Sequence, residues 1–305
     1  MKLTRREFAR LTLGAGTGLA LAGPTALADH HELITRPIPS SGEQIPIIGL
    51  GTNRYGVDEN RDARLPLLDA LKRFHELGGT LVDTAPMYRS SELVLGDLIA
   101  ELGIRDDLFI ATKADREAGG DATDAQMRTS AERLQTGNFE LMQVHNLIGW
   151  REALPVMREW KEEGRIRYVG ITTSSSRQYG DFEAVMRKQE LDFIQVNYSL
   201  EQPESADRLL PLAQDRGMAV IINRGFGGGR IFGKVKDRPL PEWAQAFASS
   251  WAQFLLKYAL SHPAATAAIP GMTKVRHVED NMRAATGRMP TREERKRMED
   301  LYRSI

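Results

Sequence analysis

Residues 81–88 read LVDTAPMY. An apolar pair runs into Asp83, and Tyr88 follows five positions later. Two later stretches repeat the design. FIATKAD (109–115) carries Lys113 at the end of an apolar run, and ELMQVHN (140–146) carries His145 at the end of another. If the three runs are parallel strands whose C-terminal ends meet, these four polar side chains share one site. If not, they are scattered.

The rest of the chain supports strands. Short apolar runs recur at 47–50, 80–82, 108–111, 139–144, 168–171, 193–196, 218–222 and 266–269. Helical patterns lie between them. LPLLDALKRFHELGG (65–79) places Leu67, Leu68, Leu71, Phe74 and Leu77 on one face. ELVLGDLIAELG (92–103) and ALPVMREWKEEG (153–164) stop at Gly103 and Gly164. WAQAFASSWAQFLLKYALSH (243–262) reads as the longest helix, with Trp243 and Trp251 on its faces, and His75 sits within the first helix as a structural residue. Alternating strand and helix units predict an α/β fold, a closed (β/α)8 TIM barrel of roughly 250 residues. RPIPSSGEQIPIIG (36–49) predicts an N-terminal hairpin under the barrel, and TREERKRMEDLYRSI (291–305) an extra C-terminal helix. The rival is a doubly wound sheet, which needs a phosphate fingerprint after its first strand. GLGTNRYG (49–56) does not match that spacing.

Composition narrows the function classes. The chain has 305 residues, 41 basic and 41 acidic, and no cysteine. The balance gives no electrostatic reason to expect nucleic acid as a partner. Disulfides, thiolate metal sites and cysteine nucleophiles are excluded. No metal site is expected. His30-His31 are the one candidate pair, in the tail.

MKLTRREFARLTLGAGTGLALAGPTALADHHE (1–32) has a basic start, an apolar stretch over 11–22, Pro24 and the small-residue pattern Ala26-Leu27-Ala28. The order is that of an export signal cut near Ala28–Asp29, and the stretch is too short for a permanent membrane anchor. Arg5-Arg6 resembles the twin-arginine signal, which makes the twin-arginine export machinery a partner and the periplasm the expected location. The protein works in the cytoplasm if the signal is inefficient. The layout is a signal peptide over 1–28, a tail over 29–44 and the barrel over 45–305.

In such barrels the site forms at the C-terminal face of the strands. Asp83, Lys113 and His145 end strands 2, 3 and 4, and Tyr88 lies in the loop after strand 2. The chemistry is coherent. A free phenol titrates near pH 10. A lysine ammonium within about 4 Å favours the phenolate and lowers that value, while an aspartate keeps the lysine charged. A neutral imidazole beside the phenol orients a carbonyl oxygen. Together they deliver a proton to an oxygen gaining charge.

The sequence resembles the aldo-keto reductase family. The carrying pieces are GLGT (49–52), DTAPMY (83–88), ATK (111–113), MQVHN (142–146), VGIT (169–172), IQVNYS (194–199) and IPGMTKVRHVEDN (269–281), in family order over nearly the whole chain after the leader. The resemblance implies a barrel binding NAD(P)H, with a small-molecule carbonyl as substrate. Tyr88 would be the general acid, tuned by Asp83 and Lys113, and His145 would place the carbonyl.

The cofactor positions it implies are less uniform. Thr52 falls in the first motif. Gln195 matches the family glutamine at the nicotinamide, but Thr172-Thr173 stand where Ser-Asn is usual, and Asn223 stands where a stacking tyrosine is frequent. Arg224, Gly225 and Gly227 follow in a flexible stretch suited to phosphate. Gly271 and Met272 replace the commonest Lys-Ser pair. Thr273, Lys274, Arg276, His277, Asp280 and Asn281 complete the last segment, whose cations favour NADPH, with NADH an alternative. Met87, Trp150 and Phe226 are candidates for the substrate wall.

Two other functions fit the same residues. One is a Schiff-base aldolase or lyase with Lys113 as nucleophile. The other is a non-catalytic nicotinamide-binding redox sensor. Export raises a further question, since a protein carried out with its cofactor gives a single turnover unless the cofactor is recycled.

Overall fold

The structure is a computed structural model, and it describes residues 32–57, 60–115 and 119–305. The expected signal peptide and the His30-His31 pair lie outside the described residues.

The chain enters through a hairpin. Strands β1 (Thr35–Pro37) and β2 (Gln44–Pro46) pair antiparallel, with Arg36 opposite Ile45. Barrel strands β3 (Leu50–Gly51), β4 (Leu81–Asp83), β5 (Phe109–Ala114) and β6 (Phe139–Val144) follow. Then come β7 (Ile166–Thr172), β8 (Phe193–Asn197), β9 (Ala219–Asn223) and β10 (Ala267–Ala268). Each pairs parallel with the next in chain order. Bridges from Ile48 to Ala268 and from Gly51 to Gly271 join the first strand to the last. This closed ring excludes the doubly wound alternative. All eight apolar runs contain strands, with ends shifted by at most three residues.

Helices α1 (Arg61–Glu76), α2 (Ser91–Leu102), α3 (Gly119–Arg133), α4 (Trp150–Glu162), α5 (Tyr179–Lys188) and α6 (Ser205–Asp215) connect successive strands. The connection from β9 to β10 holds both α7 (Arg230–Val235) and α8 (Trp251–Leu260). Helices α9 (Val275–Met282) and α10 (Arg292–Ser304) follow the last strand. Helix α1 starts at the Asn60 cap, whose side chain accepts from Asp62 N–H, and buries Leu67, Ala70, Leu71 and Phe74 at helical spacing. The C-terminal helix begins with a capping box between Thr291 and Glu294.

One helix was overestimated. The segment 243–262 is not continuous. Residues Glu242–Ala244 form a short 3-10 turn, and α8 begins only at Trp251. The cause is local. Ser250 takes extended backbone angles, and its hydroxyl accepts from Gln253 N–H while donating to Asp280. Serine competes for backbone donors and so starts helices more readily than it continues them. The longest described helix is therefore α1, with 16 residues. Trp243, in the 3-10 turn, and Trp251, at the start of α8, both pack on Phe254. His75 bonds Asp107 at 2.9 Å.

The barrel interior explains where chemistry sits. Side chains alternate along a strand, so every second residue points inward. The hairpin residues Ile38 and Ile45 share a cluster with Leu81, Phe109, Ala111, Leu141, Phe193 and Ile221, which plugs the N-terminal end. Stepping two residues onward from this layer gives Asp83, Lys113, Gln143, Gln195 and Asn223. The same inward rows turn from apolar to polar on moving toward the strand C-termini.

Candidate active site

Lys113 stands at the centre of this polar layer. Its ammonium donates to Asp83 Oδ1 at 2.7 Å and to the Thr84 carbonyl at 2.7 Å. The other Asp83 oxygen accepts from Gln195 Nε2 at 2.8 Å and from Gln143 Nε2 at 3.4 Å. The Lys113 nitrogen lies 5.2 Å from the centre of the Tyr88 ring. The Tyr88 ring meets the His145 ring edge-on, with centroids 5.9 Å apart. The structure thus brings Asp83, Tyr88, Lys113 and His145 together.

Burial and charge set their protonation. Burial pulls Lys113 down, but the charges of Asp83 and Tyr88 push it up and prevail, so the ammonium persists. For Tyr88 the Lys113 charge is the largest single influence, and it pulls the phenol down as expected. Burial and the Asp83 charge act the other way, and the balance lies above the ordinary tyrosine value. This corrects the expectation of a net lowering. Burial, and after it the Asp83 charge, outweigh the lysine's pull, and Tyr88 keeps its proton at neutral pH.

His145 opens a 3-10 turn, His145–Leu147, in which Asn146 (φ 53°) and Leu147 (φ 59°) both take left-handed angles. Such angles are unusual outside glycine and gather at functional sites. The turn is tied down on both sides. Asn146 N–H donates to Thr172 Oγ1 at 3.0 Å, and its carbonyl accepts from Gln178 at 2.9 Å.

The cofactor candidates divide into two groups. Several are engaged inside the protein. Thr52 is buried and donates to the Asp83 carbonyl at 2.9 Å. Thr173 donates to Gln178 Oε1 at 2.6 Å. Gln195 is committed to Asp83, as above. Met272 is buried, and its carbonyl accepts from Tyr55. Asp280 accepts from Ser250 and Gln253 and so anchors α8 to α9. Asn281 is buried on α9.

The others face outward or lack partners. Asn223 donates to the Thr173 carbonyl at 3.0 Å, but its buried Oδ1 has no partner. Arg224 is exposed and left-handed (φ 51°). Gly225 and Gly227 follow it. A Cβ at Gly227 (φ 56°) would clash with the Glu201 side chain, so only glycine lets this loop pack. Gly271 is exposed at the end of the ring, and Thr273 is half-buried. Lys274, Arg276 and His277 are exposed at the start of α9, where burial, Arg276 and Lys274 all push His277 below the ordinary histidine value. An orphaned acceptor ends β9, a tight glycine loop follows it and a cation cluster follows β10, and together they fit a dinucleotide phosphate ligand.

Of the substrate candidates, Met87 is 59% exposed beside Tyr88. Trp150 starts α4 and helps line a cavity of about 680 Å³ between the 146–152 loop and α5. Phe226 packs edge-on against Phe232.

The sequence reading missed Gln143 and Asp115. Both follow from the period-2 rule: Gln143 lies two residues before His145, and Asp115 two residues after Lys113.

Residues 47–303 match the model of the Aldo/keto reductase family. The chain belongs to this family. It is 30% identical to Aldo-keto reductase YhdN of Bacillus subtilis over 66% of this chain and 64% of that protein. It is 30% identical to Methylglyoxal reductase YeaE of Escherichia coli over 80% of this chain and 87% of that one. Among solved structures, an aldo/keto reductase from Klebsiella pneumoniae, in complex with NADP and acetate, superposes with a TM-score of 0.71 at 26% identity. That match covers 86% of this chain and 93% of the other.

Proposed function

We propose that this aldo-keto reductase reduces small aldehydes or ketones to alcohols with NADPH, using Tyr88 as general acid. One observation carries the reading. A phenol, an ammonium and an imidazole meet at three adjoining strand ends, around a carboxylate held by three donors.

Carbonyl reduction needs a proton at the oxygen as the carbon is reduced. Tyr88 holds that proton. Once it is given up, Lys113 faces the phenolate and stabilises its charge. Asp83 keeps the lysine charged and in place, and His145 orients the oxygen. A bound reduced nicotinamide supplies hydride to the carbonyl carbon. Asn223 would hold it through the unpaired Oδ1, Arg224 and the glycine loop through its phosphates, and Lys274, Arg276 and His277 through a 2′-phosphate. The Klebsiella relative, solved in complex with NADP, supports this choice, and the methylglyoxal reductase relative supports a small carbonyl substrate. Met87, Trp150 and Phe226 would border that substrate.

The charged Lys113 speaks against a Schiff-base enzyme, because an ammonium is no nucleophile. Purified protein incubated with NADPH and a panel of aldehydes and ketones should consume the reduced nicotinamide. The reading fails if nucleotide binds but no carbonyl is reduced, or if borohydride traps a substrate on Lys113.

The leader over 1–28 is read as a twin-arginine export signal. A mass spectrum of the protein from the periplasmic fraction should show a chain beginning at Asp29. A full-length chain found only in the cytoplasm would contradict export.

A further inference from the structure

The loop after β4 holds a sulfur that no step above uses. The chain has no cysteine, so its sulfur atoms are all thioethers. Among the described residues every methionine but two is sealed in the core, at 3% exposure or less. Met289 is half-buried. Met87 stands apart at 59% exposure, and it directly precedes Tyr88. An oxidant in solution therefore meets one well-exposed methionine, and that residue adjoins the proposed general acid.

The backbone around it is fixed. Tyr88 N–H donates to the Ala85 carbonyl at 3.0 Å, closing a turn over Pro86 and Met87. The Tyr88 carbonyl accepts from Ser91 N–H at 3.0 Å, at the start of α2. Behind the loop, a Cβ at Gly56 would clash with the Tyr88 carbonyl, so the segment has no room to retreat. Chemistry on the Met87 side chain thus alters what the mouth of the site presents, while the turn that carries Tyr88 stays in place.

We propose that Met87 is a site of reversible oxidation, and that its sulfoxide weakens binding of the carbonyl substrate. The oxidant is a hydroperoxide, with hydrogen peroxide the simplest. The sulfur lone pair attacks the outer peroxide oxygen. An S–O bond forms and the O–O bond breaks. The proton on the transferred oxygen passes to the departing hydroxide, which leaves as water. Sulfur is oxidised and the peroxide is reduced. A flexible apolar thioether becomes a polar sulfoxide, an acceptor that holds water. An apolar substrate packing on Met87 must then strip that water with no donor to replace it. Methionine sulfoxide reductases reverse the change.

The effect on binding rests on the reductase reading, in which Met87 borders the substrate. Purified protein is treated with graded hydrogen peroxide, and oxygen addition is mapped by peptide mass spectrometry. Met87 should gain oxygen ahead of Met289 and of every buried methionine. At the dose that converts Met87 alone, KM for an apolar aldehyde such as benzaldehyde should rise on the order of tenfold. The kcat and the NADPH affinity should change little. Methionine sulfoxide reductases A and B together should restore the KM. Met87→Leu, apolar but without sulfur, should keep its own KM through the same treatment, and Met87→Gln should show a raised KM without peroxide. The proposal is overturned if Met289 or a buried methionine is oxidised first, if full conversion of Met87 leaves KM unmoved, or if Met87→Leu responds to peroxide as wild type does. Absence of carbonyl turnover before any peroxide would overturn the reductase reading instead, and the order of oxidation would still decide whether Met87 is the modified site.

Discussion

The Lys113 ammonium lies 2.7 Å from Asp83 Oδ1 with both side chains sealed from solvent, at 0% and 2% exposure. A buried pair of this kind is poor evidence of stabilisation by itself, because desolvation offsets much of the attraction. Removing one partner is another matter, since it leaves a lone charge inside the barrel. Lys113→Met should destabilise the fold by about 3–5 kcal/mol. Lys113→Met with Asp83→Asn should recover part of that loss. Urea unfolding of the single and double variants checks this, and a double variant no more stable than the single would argue against charge burial as the cause.

Acid should weaken the fold through His262. Burial, with Arg295 and Arg36 nearby, pushes this histidine down to about 4. Its Nδ1 accepts from Ala264 N–H at 3.2 Å, so the neutral ring is the bonded form. Between pH 6.5 and 4 the unfolded chain binds a proton that the folded chain refuses. Stability therefore rises with pH across that window and is lost as pH falls through it. The full shift corresponds to about 3 kcal/mol, and partial exposure reduces it to about 1–2 kcal/mol. Unfolding free energies measured at pH 7 and pH 4.5 should differ by this much more in wild type than in His262→Gln.

Cofactor preference should depend on α9. Lys274→Ala with Arg276→Ala removes two exposed cations from the proposed 2′-phosphate position. Charge-assisted bonds to phosphate contribute roughly 1.5–3 kcal/mol each in favourable geometry, and less where solvent screens them. The double variant should bind NADPH about tenfold more weakly or worse, with NADH binding little changed. Titration with both nucleotides gives the comparison. An equal loss for both would place the 2′-phosphate elsewhere.

The barrel was legible because its strands are buried on both faces and read as plain apolar runs, and because glycines such as Gly103 punctuate the helices. What misled was a segment whose composition is helical but whose conformation depends on one residue. Ser250 is unremarkable in the sequence, and only its bonds to Gln253 and Asp280 stop the helix. The four polar residues that meet at the strand ends were legible for a different reason: each closes a run or follows one. Gln143 and Asp115 carry no sequence signal of their own, because one lies inside an apolar run and the other just past the end of its strand. The protonation of Tyr88 was not readable at all. It depends on how the opposing influences of Lys113, Asp83 and burial balance, and these are set by distances.

Comparison of wild type with Tyr88→Phe tests the central claim most directly. The phenol hydroxyl is removed and the ring beside His145 is kept. NADPH affinity, from fluorescence quenching, should change little. The rate of carbonyl reduction should fall by about 10²–10⁴-fold. Full turnover in Tyr88→Phe would show that the proton comes from another group and would contradict the assignment of this site.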